Sequence, residues 1–168
     1  MPFTPLHMGP GILLKALLPT RFSLMVFGWA QIVMDLQPLL AMLTGRGELH
    51  GLSHTWPGAG LLAVVAALSG KYLGALGLHL LGLRRQLPIR WGAAWLGAGI
   101  GTASHVLLDS IVHADVRPYA PFSTANGLFG MVSWEAMEWL CLACGALGSA
   151  LYLAATARPA QQRDTDPR

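Results

Sequence analysis

Charge is scarce in this sequence, and cysteine scarcer. Of 168 residues only 11% are charged, against 54% hydrophobic, with a mean hydropathy of +0.50, more apolar surface than a soluble domain of this size can bury. Lipid is the expected solvent. The two cysteines, Cys141 and Cys144, form one Cys-x-x-Cys pair inside an apolar run with no second pair and no thioredoxin-like pattern beside it. They read as small buried residues rather than a redox or zinc site. The opening Met-Pro-Phe-Thr-Pro lacks a basic n-region and a small-residue cleavage site, so no cleavable signal peptide is expected. No Gly-x-Ser-x-Gly elbow occurs, which disfavours serine hydrolysis. No basic stripe interleaved with aromatics suggests nucleic acid. With neither an internal repeat nor a long linker, residues 1–157 are expected to form a single helical domain. The polar stretch from Arg158 to Arg168 reads as a disordered tail.

What the sequence does contain is long apolar runs, each able to supply the roughly 20 residues that a helix needs to cross hydrocarbon. Four windows qualify: Phe22 to Leu43, Pro57 to Leu83, Trp91 to Val112 and Met131 to Thr156. A fifth, His7 to Leu18, has only 12 residues and is ended by Pro19. The expected fold is therefore all-α, a polytopic bundle of four transmembrane helices plus a short N-terminal helix, buried or re-entrant. Loops retained in the cytoplasm are rich in Lys and Arg. Placing Lys15, Arg21, Arg84, Arg85, Arg90, Arg158, Arg163 and Arg168 on one side leaves only Arg46 and Arg117 opposite. The basic side is expected to be cytoplasmic, with segments 44–56 and 113–130 outside. The net charge of +3 follows from this asymmetry.

An ionisable side chain at membrane depth costs about 2.5–3.5 kcal/mol on insertion scales, so it normally faces a protein interior and acts there. Asp35 lies in the outer half of the first spanning window, and His105 and Asp109 lie in the outer half of the third. Residues four apart share a helix face. His105 and Asp109 are so spaced, His113 continues their stripe, and His50 and His54 repeat the interval in the outer loop. Imidazole with carboxylate suits zinc first, with manganese or iron as alternatives. If the short N-terminal helix enters from the outer side, His7 reaches the same depth. The candidate metal ligands are thus His7, Asp35, His50, His54, His105 and Asp109. A lone histidine is more often a satisfied polar residue than a ligand; the combination carries the expectation. His79, near the opposite end, reads as structural. Lys71 snorkels, marks a helix break or meets an acid. Glu135 and Glu138, beside Trp134 and Trp139, read as an interfacial belt or as groups supporting the site.

In this order these residues resemble a family of bacterial inner-membrane proteins described as membrane-bound metal-dependent hydrolases. The resemblance rests on Thr-Pro-x-His at Thr4 to His7, Asp35, His-x-x-x-His at His50 and His54, Ser-His-x-x-x-Asp at Ser104 to Asp109, and Pro-Phe-Ser at Pro121 to Ser123. It covers about residues 4 to 125. The His-x-x-x-Asp element is also similar, over a short stretch, to zinc-dependent phospholipases C. The chain departs from the family pattern in having Leu36 and Gln37 after Asp35 where a second acid is usual, and Gly51, Leu52 and Ser53 between the loop histidines.

The resemblance implies a multi-pass protein of the bacterial inner membrane, its site toward the periplasm. It also implies hydrolysis, with a bound ion activating water and Asp109 or His54 as general base. The expected substrate is a phospholipid or other lipid-linked ester, its phosphate met by Arg46 or Arg117. Two other readings remain open. The same polar residues serve a metal-handling or transport path, to which a homo-oligomer would supply more helices, or they hold helices together in a structural protein.

Overall fold

A computed structural model describes residues 5–157; the expected disordered tail and Thr4 lie outside them. Among these residues there are five α-helices and no strand: α1 (Met8–Leu17), α2 (Leu24–Thr44), α3 (Trp56–Leu80), α4 (Trp91–Val112) and α5 (Trp134–Ala157). The four long apolar windows fall on α2 to α5, and the short one falls on α1, which a single 3-10 turn at Pro5–His7 precedes.

Local chemistry sets the boundaries. Ser23 caps α2 by accepting from the Val26 amide at 3.4 Å, and Thr55 caps α3 by accepting from the Gly58 amide at 3.0 Å. Such caps satisfy amides that lack an intrahelical partner. At its other end α2 stops where Gly45 turns left-handed, φ +64°, a conformation glycine adopts without steric cost. Lys15 closes the α1–α2 turn by donating to the carbonyls of Pro19 (2.7 Å) and Phe22 (3.2 Å).

Packing divides the molecule in two. Helices α2, α3 and α4 pack mutually, whereas α1 lies chiefly on α5, and α4 and α5 touch little. The trio's core is Val26, Ala30, Ala66, Ala67, Ala94 and Ala98. Small residues let the backbones approach. A Cβ at Gly97 would stand 2.7 Å from the Ser23 carbonyl, and one at Gly101 would stand 2.8 Å from the Ala30 Cβ. Outward faces are apolar instead: Leu61, Leu68, Leu76 and Leu80 on α3 and Leu140, Leu147 and Leu153 on α5 are exposed. An apolar surface of this extent calls for a partner other than water. By length and composition α2, α3 and α5 are able to span a membrane. Helix α4 is long enough, at 22 residues, but it carries His105, Asp109 and several glycines and serines on a largely buried surface, so its composition is less apolar.

The helices alternate in direction, so their connections fall at two poles. The α1–α2 turn, the α3–α4 connection with Arg84, Arg85 and Arg90, and the end of α5 lie at one pole; segments 45–55 and 113–133 lie at the other. The second of these folds back on α4. Asn126 donates to the carbonyls of Ser110 (2.9 Å) and His113 (3.3 Å), Gly130 donates to Ile111 (2.9 Å), and Pro118 accepts from the Trp56 amide (2.8 Å). That pole holds the polar cluster.

Lys71 lies within an unbroken α3, its ammonium over the rings of Trp91 (4.7 Å) and Tyr72 (5.1 Å). Because Trp91 opens α4 at the basic pole, the side chain reaches toward that pole, and of the three expectations the structure favours snorkelling over a break.

Candidate metal centre

Four elements converge at the polar pole. His7 comes from the turn before α1, Asp35 from α2, His54 from a 3-10 turn before α3, and His105 and Asp109 from one face of α4. Nε2 of His105 is 3.2 Å from Nε2 of His54, 3.3 Å from Oδ1 of Asp35 and 3.2 Å from Oδ2 of Asp109. His54 Nε2 and Asp109 Oδ2 are 3.1 Å apart. Side-chain exposure is 0% for His54, 1% for His105 and 7% for each aspartate, so water screens little of this.

Protons at the centre can be counted. The Gly101 carbonyl can only accept, and it takes the Gln31 amide nitrogen at 3.0 Å, which turns Gln31 Oε1 toward His105. His105 Nδ1 therefore donates to Oε1, at 2.7 Å. Its Nε2 then faces two carboxylate oxygens and another imidazole nitrogen. Protons on the Nε2 atoms of His105 and His54 can join each ring to a carboxylate, but two such protons would face each other across the 3.2 Å between the rings. One cation satisfies all four atoms together. Two ligands of a tetrahedral ion with bonds of about 2.0–2.1 Å stand about 3.3 Å apart, close to the separations found. The buried groups can accordingly bind a metal ion, the alternative being a histidine–carboxylate ion-pair network of the same residues. The donor set of nitrogen and oxygen suits a divalent transition metal.

His54 is held from its other side. Ser53 Oγ lies 2.8 Å from His54 Nδ1, and the Ser53 amide donates to Gln37 Oε1 at 2.9 Å. Gln37 lies so close to Gly51 that any side chain there would strike its amide. Gln37, Gly51 and Ser53 together position His54. Such supporting contacts orient the ring and fix the tautomer.

His50 stands slightly apart. Its Nδ1 donates to Asp115 Oδ2 at 2.7 Å, and its ring meets those of His54 (4.8 Å) and His113 (4.5 Å). Partial burial would raise the Asp115 carboxyl, but the hydrogen bond from His50 and that ring's charge outweigh it and hold the pKa below the ordinary value. His7 Nε2 is 3.7 Å from Asp109 Oδ1. All six expected ligands thus gather at one pole, with His50 joined to the others through its neighbours. His79 is exposed at the other pole near Arg84 (3.5 Å).

Family models, curated proteins and solved structures offer no match to this chain. The site must be read from its own atoms.

Reading the sequence for metal-ligating side chains missed Gln31 and Ser53, which hold candidate ligands, and Asp115, which anchors His50. His113, read there as continuing the stripe of His105 and Asp109 but not counted among the ligands, approaches Asp109 Oδ1 to 4.0 Å. Gln31 had a legible signal, since it precedes Asp35 by the four-residue interval that marked His105 and Asp109. Glu138, expected in an aromatic belt or beside the site, accepts from Trp134 Nε1 at 2.8 Å and lines a small cavity with His7, Asp109 and His113.

Larger hollows flank the bundle. One of about 440 Å³ is bounded by His7, Gln31 and Asp35 at the polar end and by Met8, Leu24, Met25, Trp29, Ile32 and Leu73 along its walls. Arg117 pairs with Glu48 at 3.8 Å in the open, a contact worth little.

Proposed function

We propose that the chain is a membrane-embedded, metal-dependent hydrolase acting on the phosphoester or ester of a membrane lipid. The reading includes α4 as a fourth span, the basic pole in the cytoplasm and the metal centre toward the periplasmic side of a bacterial inner membrane. Zinc is the first choice of ion, and membership of the membrane-bound metal-dependent hydrolases is part of the same proposal. The observation that carries it is the meeting of Asp35, His54, His105 and Asp109 at 3.1–3.3 Å with His105 turned inward by Gln31. An ion held there supplies Lewis acidity and draws the pKa of water down toward about 7.

The chain's own groups supply the rest. Neither ring nitrogen of His54 is free for a proton, because one faces Ser53 and the other the cluster. The base is a carboxylate bordering the small cavity, Asp109 through Oδ1 or Glu138. The 440 Å³ groove supports a lipid substrate: its walls are apolar while His7 and Asp35 border its polar end, so an acyl chain can lie along α1 and α2 with its ester near the cluster. Arg46 and Arg117, at the polar pole, are the cations available to a phosphate.

A transport path is disfavoured. Among the described residues the buried ionisable side chains are Asp35, His54, His105 and Asp109, and below them the core is Val26, Ala30, Ala94 and Ala98. Among the described residues no buried ionisable side chain continues from the cluster to the basic pole.

The test is metal analysis of detergent-purified protein, wild type against His105→Ala and Asp109→Ala, followed by phospholipid hydrolysis with and without chelator. Bound metal lost in both variants and chelator-sensitive release of product are expected. Wild type without metal overturns the reading, and metal without hydrolysis overturns its enzymatic part. Impermeant thiol labelling of cysteines placed at Ser123 and Gln86, in a background lacking Cys141 and Cys144, should mark opposite sides of the membrane; labelling from one side would overturn the topology.

A further inference from the structure

Asp109 turns two oxygens toward two different sets of nitrogen atoms. Oδ2 meets His54 and His105 at 3.1 and 3.2 Å. Oδ1 faces the other way, with Nε2 of His7 at 3.7 Å and Nε2 of His113 at 4.0 Å. These latter distances exceed a hydrogen bond. They are ordinary van der Waals separations, within the reach of partners of a shared cation. Ligands on one ion stand about 2.9 Å apart at a right angle and about 4.1 Å apart when opposed, for bonds of about 2.0–2.1 Å.

The surroundings fit that role. Oδ1 and the two imidazoles border a cavity of about 20 Å³ that Glu138, Val112 and Met137 help to close. This is room for about one water-sized body. His113 is held against the ring of Trp134 at 5.3 Å and that of His50 at 4.5 Å. His50, Asp109 and His113 each offer a ligating atom within 4.8 Å of one another, as do His7, His105 and Asp109. Five imidazoles stand in a chain of ring contacts, His7, His105, His54, His50 and His113, a density of nitrogen donors that suits divalent transition metals.

We propose a second divalent-ion position on Oδ1 of Asp109, held by His7 and His113 with Glu138 at its margin, so that Asp109 bridges two ions. The proposal rests on the metal-centre reading above and adds His113 to the ligands. It also commits both oxygens of Asp109 to binding, which leaves Glu138 as the carboxylate bordering the cavity that can take a proton.

The experiment is metal titration of the full chain in detergent with manganese alone, read by elemental analysis and by electron paramagnetic resonance. Wild type is expected to bind two equivalents and to show the spectrum of an exchange-coupled pair. His113→Ala, at the half-buried end of α4, and His7→Ala, on a separate element, should each retain one equivalent and show isolated manganese. Two variants on different elements guard against one simply failing to fold, which melting temperature checks. One equivalent in saturated wild type overturns the bridge while leaving the single-ion hydrolase intact. Two equivalents in both variants overturn these ligands, and no metal in wild type overturns both proposals.

Discussion

Gln31 decides what His105 can do. Its amide, fixed between the Gly101 carbonyl and His105 Nδ1, leaves the other ring nitrogen to face the carboxylates. Replacing it by leucine removes the acceptor and frees the ring, so Gln31→Leu should weaken metal binding about 10- to 100-fold, as for other lost supporting contacts. Gln31→Glu keeps an acceptor for Nδ1 and should restore much of the affinity. Competition titration with a chromophoric chelator measures both; equal affinity in Gln31→Leu and wild type would refute the role. Residue types that bind metals advertise themselves in a sequence, which is why Asp35, His105 and Asp109 stood out. Amides do not. Gln31 acquires its meaning only from α4 lying against it, and Ser53 only from Gln37 lying beneath the loop.

At the scale of the helix, α4 both carries the site and rests closely on α2. Gly97 and Gly101 face α2, whereas a side chain at Gly99 would meet nothing within 4 Å. Adding a methyl at the first two forces backbone apart, an overpacking cost of about 1–3 kcal/mol. Gly97→Ala and Gly101→Ala should therefore lower the melting temperature in detergent and weaken metal binding, since α2 brings Gln31 and Asp35. Gly99→Ala should leave both unchanged. Destabilisation by all three alike would mean that propensity, and not close approach, governs these positions. The sequence placed the boundaries of α4 at Trp91 and Val112. Which glycines point inward depends on the crossing of two helices, information that composition does not hold.

Across the whole molecule, apolar windows made the helices legible because lipid-facing length is written in consecutive residues. The pairing of α1 with α5 was not legible. It rests on backbone approach: a side chain at Gly9 would strike the Cys141 carbonyl, and one at Gly148 would come within 2.5 Å of Leu13. That pairing leaves a seam, because α4 and α5 touch little and the short α1 is tied to α5 more than to the trio. His7 and Asp109 lie across this seam, 3.7 Å apart. An ion between them would work as a rivet joining the α1–α5 pair to the trio, adding to stability by its preference for the closed form. Chelation should then raise amide hydrogen exchange first in α1 and α5, with α2 to α4 following only at higher temperature; uniform exchange would argue against the seam. The hydrolase proposed above would then be self-proofing, since a chain that had not brought its two halves together would lack a complete centre.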